Sequence, residues 1–550
     1  MKSSSILESQ PPARYTETLT STAQDGTAKT IAWFALFAAL LIASHAPLLR
    51  LPYFWDEAGY YVPATRDLLA GSLIPRSTPS NAHPPLVMAW LALGWKVFGY
   101  SPLVSRCGML LLAAFSLLGF FRLARTVANT SVAVASTALT AIYPVFFAQS
   151  SLVQLDLPSA GLIFWGLESY VRGRRGGAVV WFSLAALAKE TAILVPLALF
   201  LWEVLGVRST GYGEITGLRL SGTTKKRAVH RLLLLTPLLP FVLWYAYHYA
   251  RTGFIFGNPE FFRYNVQGTL HPWRIVLALL MRIWQTVGYF DLYLLTLACL
   301  LAMKVLPLQS KDSVSDRPRI AVPIQMSFLA IATCYVVALS IVGGAVLARY
   351  MLPIVPLVIL VCVSTIWRRL KWWRAVIAVV ALAFVGGLFV NPPYGFSPED
   401  NLAYRDYIRL HQHAENVLET RYPNARVLTA WPASDELSRP YLGYVQKAVP
   451  VVRIEDFTAE ELLSAADARS GFDVALVFST KYEPPHSIFD RWKRWQEWKS
   501  RYFGYHRDLT PEAAASVLGG NLVYADRRRG QWVGIIELEK IEVARAPASF

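Results

Sequence analysis

The chain has 550 residues, 54% of them hydrophobic and 16% charged, with a mean hydropathy of +0.36, a balance that excludes an ordinary soluble globular protein. Its net charge of +16 raises nucleic acid as a partner. The Lys and Arg excess sits in short loops between apolar runs, where membrane orientation and anionic lipid account for it, so no nucleic acid is expected.

Residues 1–30 are polar and rich in Ser, Thr and Ala. They lack the basic-then-apolar order of a signal peptide and read as a disordered cytoplasmic tail. A first span is predicted at 31–49, followed by a loop at 51–101. That loop holds Tyr53-Phe54-Trp55-Asp56-Glu57-Ala58-Gly59-Tyr60-Tyr61 and, further on, His83-Pro84-Pro85-Leu86. Within it, 83–98 is apolar but short. It is read as an interfacial helix, because a crossing there would invert everything after it.

Further spans are predicted at 102–123, 132–147, 157–171, 178–188, 191–207, 232–249, 289–303, 320–342, 350–367 and 375–390. Basic clusters recur at Arg122/Arg125, Arg172/Arg174/Arg175, Arg208 with Lys225/Lys226/Arg227/Arg231, Lys304/Lys311/Arg317/Arg319 and Arg368/Arg369/Lys371/Arg374. Placing all of them in the cytoplasm requires about eleven spans, a cytoplasmic N-terminus and an external C-terminus. The same bookkeeping puts Asp56, Glu57, His83, Asp156, Lys189, Arg263, His271 and Arg349 on one, external face.

Charge density becomes normal after Asn391-Pro392-Pro393-Tyr394-Gly395. Strands are predicted at 425–430, 448–454 and 472–479, and helices at 397–421, 458–469 and 487–501. The fold class is therefore a polytopic α-helical membrane region, 31–390, followed by a small extracytoplasmic α/β domain, 391–550. Trp492, Trp495 and Trp498, spaced among Arg491, Lys493, Arg494 and Lys499, suit either a bilayer surface or a core. Cys107, Cys299, Cys334 and Cys362 all lie in apolar segments without paired spacing, which argues against a disulfide framework or a cysteine zinc site.

Several polar groups have two readings. Asp56 beside Glu57 could serve as a general base next to a positioning carboxylate, or Asp56 could cap the following helix. His83 before two prolines stands at a helix start, which favours phosphate or simple initiation. Asp156 is a second lone carboxylate with the same capping alternative. Lys189, in Ala188-Lys189-Glu190-Thr191, could grip phosphate as a point charge or pair with a carboxylate. Arg349 could bind phosphate bidentately or snorkel. The aromatic, basic loop 251–274, with Arg263 and His271, suits a lipid phosphate or any docked loop, and Tyr60 belongs to the same candidate substrate surface. No Walker A, Gly-x-Ser-x-Gly or His-Glu-x-x-His pattern is present.

Five motifs in order — Trp55-Asp56-Glu57-Ala58-Gly59-Tyr60, His83-Pro84-Pro85-Leu86, Gln154-Leu155-Asp156, Ala188-Lys189-Glu190-Thr191 and Arg349-Tyr350-Met351-Leu352-Pro353 — resemble the GT-C membrane glycosyltransferases. The resemblance is to the superfamily of protein O-mannosyltransferases and lipid A aminoarabinose transferases, over roughly 31–390. It implies inverting transfer of a sugar from a polyprenyl-phosphate carrier to a protein, glycan or glycolipid acceptor on the external face of a membrane, the bacterial inner membrane being the expected one. It implies Asp56 as catalytic base, Glu57 as acceptor positioner, Asp156 as second acid of the site, and His83, Lys189 and Arg349 as donor-phosphate ligands. Aminoarabinose transferases carry a lysine where this chain has His83, as the protein mannosyltransferases do, which weakens the case for a lipid A acceptor. The resemblance implies no cofactor and no obligatory metal. A lipid-linked-sugar flippase and a non-catalytic assembly subunit are the rival readings, the flippase predicting charges near mid-membrane.

Overall fold

The computed structural model describes residues 26–205, 229, 231–310, 316–482, 484 and 491–538. Most of the predicted tail and the basic residues Arg208, Lys225, Lys226, Arg227 and Lys311 lie outside them.

The helical region is organised around Pro102–Val127, which packs along Asp156–Val171, itself packed on Arg175–Ala188. Local sequence sets these elements. Ser101 and Asn129 accept hydrogen bonds from Val104 N and Val132 N and so start two consecutive helices. Helices meet closely where a side chain is missing: a Cβ at Gly161 would collide with Ser116, and one at Gly119 would lie 2.7 Å from the Trp165 ring.

Among the described residues, three helices are long and apolar enough to cross a membrane, Thr27–Leu48, Pro102–Val127 and Val322–Ile341. A fourth crossing results if Pro272–Val287 and Leu292–Ala302, bent by 75°, are joined. The other predicted spans are shorter or broken. The span predicted at 132–147 divides at Tyr143 into Thr130–Ile142 and Pro144–Gln149. The predicted break at Lys189 is present, as a short 3-10 turn Glu190–Ile193 between Arg175–Ala188 and Leu194–Leu205. Leu86–Phe98, at 13 residues, is a short apolar helix like Thr130–Ile142 and Arg175–Ala188. Pro272–Val287 was not anticipated as a helix.

After 391 the chain forms a mixed sheet in the order β2-β1-β3-β5-β4, where β1 is Val427–Ala430, β2 Val451–Ile454, β3 Val474–Phe478, β4 Gly520–Arg528 and β5 Gln531–Leu538. β1 runs parallel to β2 and β3, and the β4–β5 hairpin adds antiparallel to β3. The first three strands and the helices Ala403–Arg421 and Ala459–Asp467 fall where they were predicted, with trimmed ends, and Lys493–Phe503 overlaps the predicted 487–501 and runs past its end. The hairpin was not foreseen, because its turn is Arg529-Gly530, both at positive φ, instead of an Asn-Gly or Asp-Gly signal.

One apolar core runs from the sheet into the loop 51–101. Phe54, Val62 and Leu91 share it with Tyr407, Leu428 and Leu476. Tyr100 donates to Tyr441 O at 2.6 Å and Tyr444 to Tyr53 O at 3.0 Å. The C-terminal region is therefore a roof seated on this loop.

Candidate active site

The chain approaches Asp56 through strained backbone. Trp55 has φ 48°, and Glu57–Tyr61 forms a π turn, so the carboxylate leaves the backbone at an irregular point. Ala82, just before His83, has φ 57°. Asp56 makes no capping hydrogen bond, which removes the capping alternative. It accepts instead from Arg349 Nη2 at 2.6 Å.

Arg349 binds three acids. Nη2 meets Asp56, Nε lies 3.2 Å from Asp156 Oδ2, and Nη1 pairs with Glu399 Oε2. Asp156 also pairs with Lys189, whose ammonium lies 4.1 Å from the Tyr350 ring centroid. The side chains of Asp156, Glu399, Lys189 and Arg349 are all 5% exposed or less, whereas that of Asp56 is 19% exposed. Asp56 is thus the acid of the cluster that a reactant can reach. His83 stands nearby with Nδ1 3.1 Å from Glu190 Oε2, its ring edge-on to Phe261. A small cleft opens beside it, lined by Tyr60, Tyr61, His83, Met88 and Trp244.

The loop that presents Arg349 is tied down by two other buried arginines. Arg282 donates to Leu347 O at 2.7 Å and to Ala345 O at 3.2 Å, and Arg274 donates to Gly343 O at 2.7 Å. Tyr60 lies against the Trp431 ring. Trp55 is held between Tyr407 and Trp431, with ring centroids at 5.6 and 5.2 Å.

Asp56, Asp156, Lys189 and Arg349 form one ion-paired cluster, while His83 pairs with Glu190, the residue after Lys189. One expectation is corrected, and two other predicted residues lie outside the cluster. Glu57 does not face an acceptor: it is fully buried, paired with Arg106, and accepts from Phe54 N at 2.7 Å and from Val153 N. Its neighbour points outward because successive residues of a turn diverge. His271 is the cap of Pro272–Val287 and packs on Tyr502. Arg263 is exposed, and the loop reaches the site through Phe261 and Tyr264 instead.

Glu399 and Asp400 were missed. They lie just past the linker in Pro398–Asp400, and Tyr289 donates to Asp400 at 2.6 Å. Burial pushes the Glu399 carboxyl up to about 8 against the pull of Arg349, with Asp56 and Asp400 adding to the rise. Burial likewise pushes Asp400 up to about 7, opposed by the Tyr289 hydrogen bond. The cluster of Asp56, Asp156, Glu399, Lys189 and Arg349 would hold one negative charge in excess if all were ionised, and a protonated Glu399 removes it. An acidic pair directly after the last apolar segment was the available sequence signal.

The family pattern described as dolichyl-phosphate-mannose-protein mannosyltransferase matches residues 82–212, the segment carrying His83, Asp156 and Lys189. Among solved structures, ArnT from Cupriavidus metallidurans bound to undecaprenyl phosphate is similar over 93% of this chain and 98% of that one, at 14% identity and TM-score 0.51. The apo form of that protein is similar over 92% of this chain and 98% of that one, at 15% identity and TM-score 0.51. The search of curated protein sequences found no match. At such identities the structural likeness speaks to the fold alone, and residues 82–212 are the segment similar to the mannosyltransferase family.

Proposed function

We propose that this protein is a multi-pass membrane glycosyltransferase that moves a sugar from a polyprenyl-phosphate carrier to a hydroxyl or amine acceptor at the extracytoplasmic face. The observation that carries the reading is the Asp56 carboxylate, the most open acid of a cluster otherwise sealed by Asp156, Lys189, Arg349 and Glu399. The match of residues 82–212 to a mannosyltransferase family and the fold shared with a protein solved with undecaprenyl phosphate support it.

Asp56 takes the proton of the acceptor as the acceptor atom bonds to the sugar's anomeric carbon. The bond from that carbon to the phosphate oxygen breaks, and the polyprenyl phosphate leaves with the electron pair. One displacement inverts the anomeric centre. Phosphate needs only cations and hydrogen-bond donors to stabilise the departing charge; Lys189 and Arg349 supply the cations and the His83 ring a donor. Each is balanced by an acid in the resting site, Glu190, Asp156 and Asp56 respectively, so donor phosphate exchanges for those partners. The apolar, aromatic cleft beside His83 suits the first isoprene units. About eleven crossings with the C-terminal roof outside, in a bacterial inner membrane, complete the arrangement.

Full-length protein incubated with labelled polyprenyl-phosphate sugars and membrane extracts is expected to yield a labelled acceptor. Asp56→Asn is expected to lose ~10²–10⁴-fold in transfer while still retaining donor. Unchanged transfer by Asp56→Asn would remove Asp56 as base. Carrier movement across vesicles without any sugar transfer would favour a flippase.

A further inference from the structure

A second polar cluster lies inside the roof, apart from the charges around Asp56. His411 and Glu415 stand one turn apart on Ala403–Arg421, and Glu436 faces them from Ala433–Ser438. All three are buried, at 1% exposure or less, and one ligand atom from each falls within 4.8 Å of the others. His411 Nδ1 lies 2.6 Å from Glu436 Oε2 and 3.6 Å from Glu415 Oε1.

The polar atoms of this cluster are poorly used. His411 Nε2, both Glu415 oxygens and Glu436 Oε1 have no hydrogen-bond partner. Two carboxylates are thus enclosed side by side, and no Lys or Arg pairs with either of them among the described ion pairs. Such a pair needs positive charge, from shared protons or from a cation.

We infer that His411, Glu415 and Glu436 form a binding site for one divalent transition-metal ion of the zinc type. The charges favour it, because two carboxylates and one dication sum to zero. The donor set favours it as well: one imidazole nitrogen and two carboxylate oxygens, from an i, i+4 pair on one helix plus a third ligand across from it, suit a four-coordinate borderline ion. Magnesium and calcium fit less well, since they require six or more oxygen ligands.

The place of the site gives it a role. Tyr407, one turn before His411, stacks on its ring at 3.9 Å and meets Trp55 on its other side. Trp431, just before the segment of Glu436, also meets Trp55. An ion joining the two segments braces the aromatic walls that hold Trp55, and so steadies the backbone beside Asp56 without touching reactant.

The test uses full-length protein purified in detergent without chelator. One zinc per chain is expected by elemental analysis, falling to background in Glu436→Gln and in His411→Ala. After chelator treatment, added Zn²⁺ is expected to raise the Tm of the wild type and leave that of Glu436→Gln unmoved, with little effect from Mg²⁺. A wild type that carries no metal and does not respond to Zn²⁺ overturns the inference, and this arm needs no variant to fold. Retention of zinc by both variants, or an equal response to Mg²⁺, overturns it too. Metal content is read independently of sugar transfer, so the inference can fail while the proposed activity stands.

Discussion

Two charged centres begin at adjacent residues and end differently. Glu57 is sealed in a matched pair with Arg106, and every direct partner of its carboxylate is a buried protein donor. Asp56 joins a centre with more acids than bases, in which Arg349 is shared three ways and one carboxylate stays within reach of solvent. The first arrangement can do nothing but hold the loop 51–101 to the start of Pro102–Val127. The second holds reactive groups in mutual competition, so an incoming phosphate or acceptor can displace a partner. Two neighbouring carboxylates thus divide the labour between structure and chemistry.

The sharpest way to break this comparison is at Glu57. Glu57→Gln leaves the Arg106 guanidinium buried without its counter-charge, with only neutral acceptors such as the carbonyls of Pro52 and Ser151. Loss of one partner of a buried pair costs ~3–5 kcal/mol. A large fall in Tm and in membrane-extracted yield is expected, measured by thermal unfolding in detergent. A stable Glu57→Gln with selectively reduced acceptor affinity would restore the acceptor-positioning role and erase the contrast. Asp56→Asn is expected to do the reverse, sparing Tm and removing transfer.

A milder probe sits between the two centres. A Cβ at Gly59 would lie 2.7 Å from the Trp431 ring, so Gly59→Ala pushes the roof from the π turn that carries Glu57 and directly follows Asp56. Overpacking of this kind costs ~1–3 kcal/mol. The displaced Trp431 also loosens Trp55 beside Asp56. Transfer is therefore expected to fall by more than the modest drop in Tm would account for, and equal activity at lowered Tm would show that the roof does not position Asp56.

Much of this was legible in the sequence, for identifiable reasons. Polar residues that interrupt apolar runs are costly unless used, so Asp56, His83, Asp156, Lys189 and Arg349 stood out individually, and the distribution of basic loops placed them on one face. What stayed hidden depends on tertiary contact. Nothing local told that Glu57 faces Arg106, which reads as one more basic residue at a span's entry. Arg274 ends the predicted loop 251–274 and Arg282 falls in a stretch with no predicted element, so their role emerges only once Pro272–Val287 is seen as a helix aimed at the carbonyls of 343–347. The roof was read as a separate domain, so Glu399, Tyr407 and Trp431 were never considered as parts of the site.

The smallest expected effect concerns how the open centre keeps its charge balance. Glu399 carries a carboxyl raised to about 8 by burial, so between its unfolded value of 4.5 and about 8 the folded protein holds a proton that the unfolded chain has released. The unfolded state binds fewer protons across that window, so stability falls as pH rises through it, by at most ~1.4 kcal/mol per pH unit from this group. Asp400, raised to about 7, slopes the same way over a lower window and shares the effect. Glu399→Gln keeps the neutral form at every pH. Its Tm is expected to decline less from pH 5 to pH 8 than that of the wild type, leaving the Asp400 slope. Donor binding should follow the same group, because above pH 8 an ionised Glu399 competes with phosphate for Arg349. Wild-type affinity for a polyprenyl-phosphate sugar is expected to weaken above pH 8 while that of Glu399→Gln stays level. Parallel declines in both proteins would mean that Glu399 is ionised throughout and that the centre around Asp56 is as firmly matched as the one around Glu57.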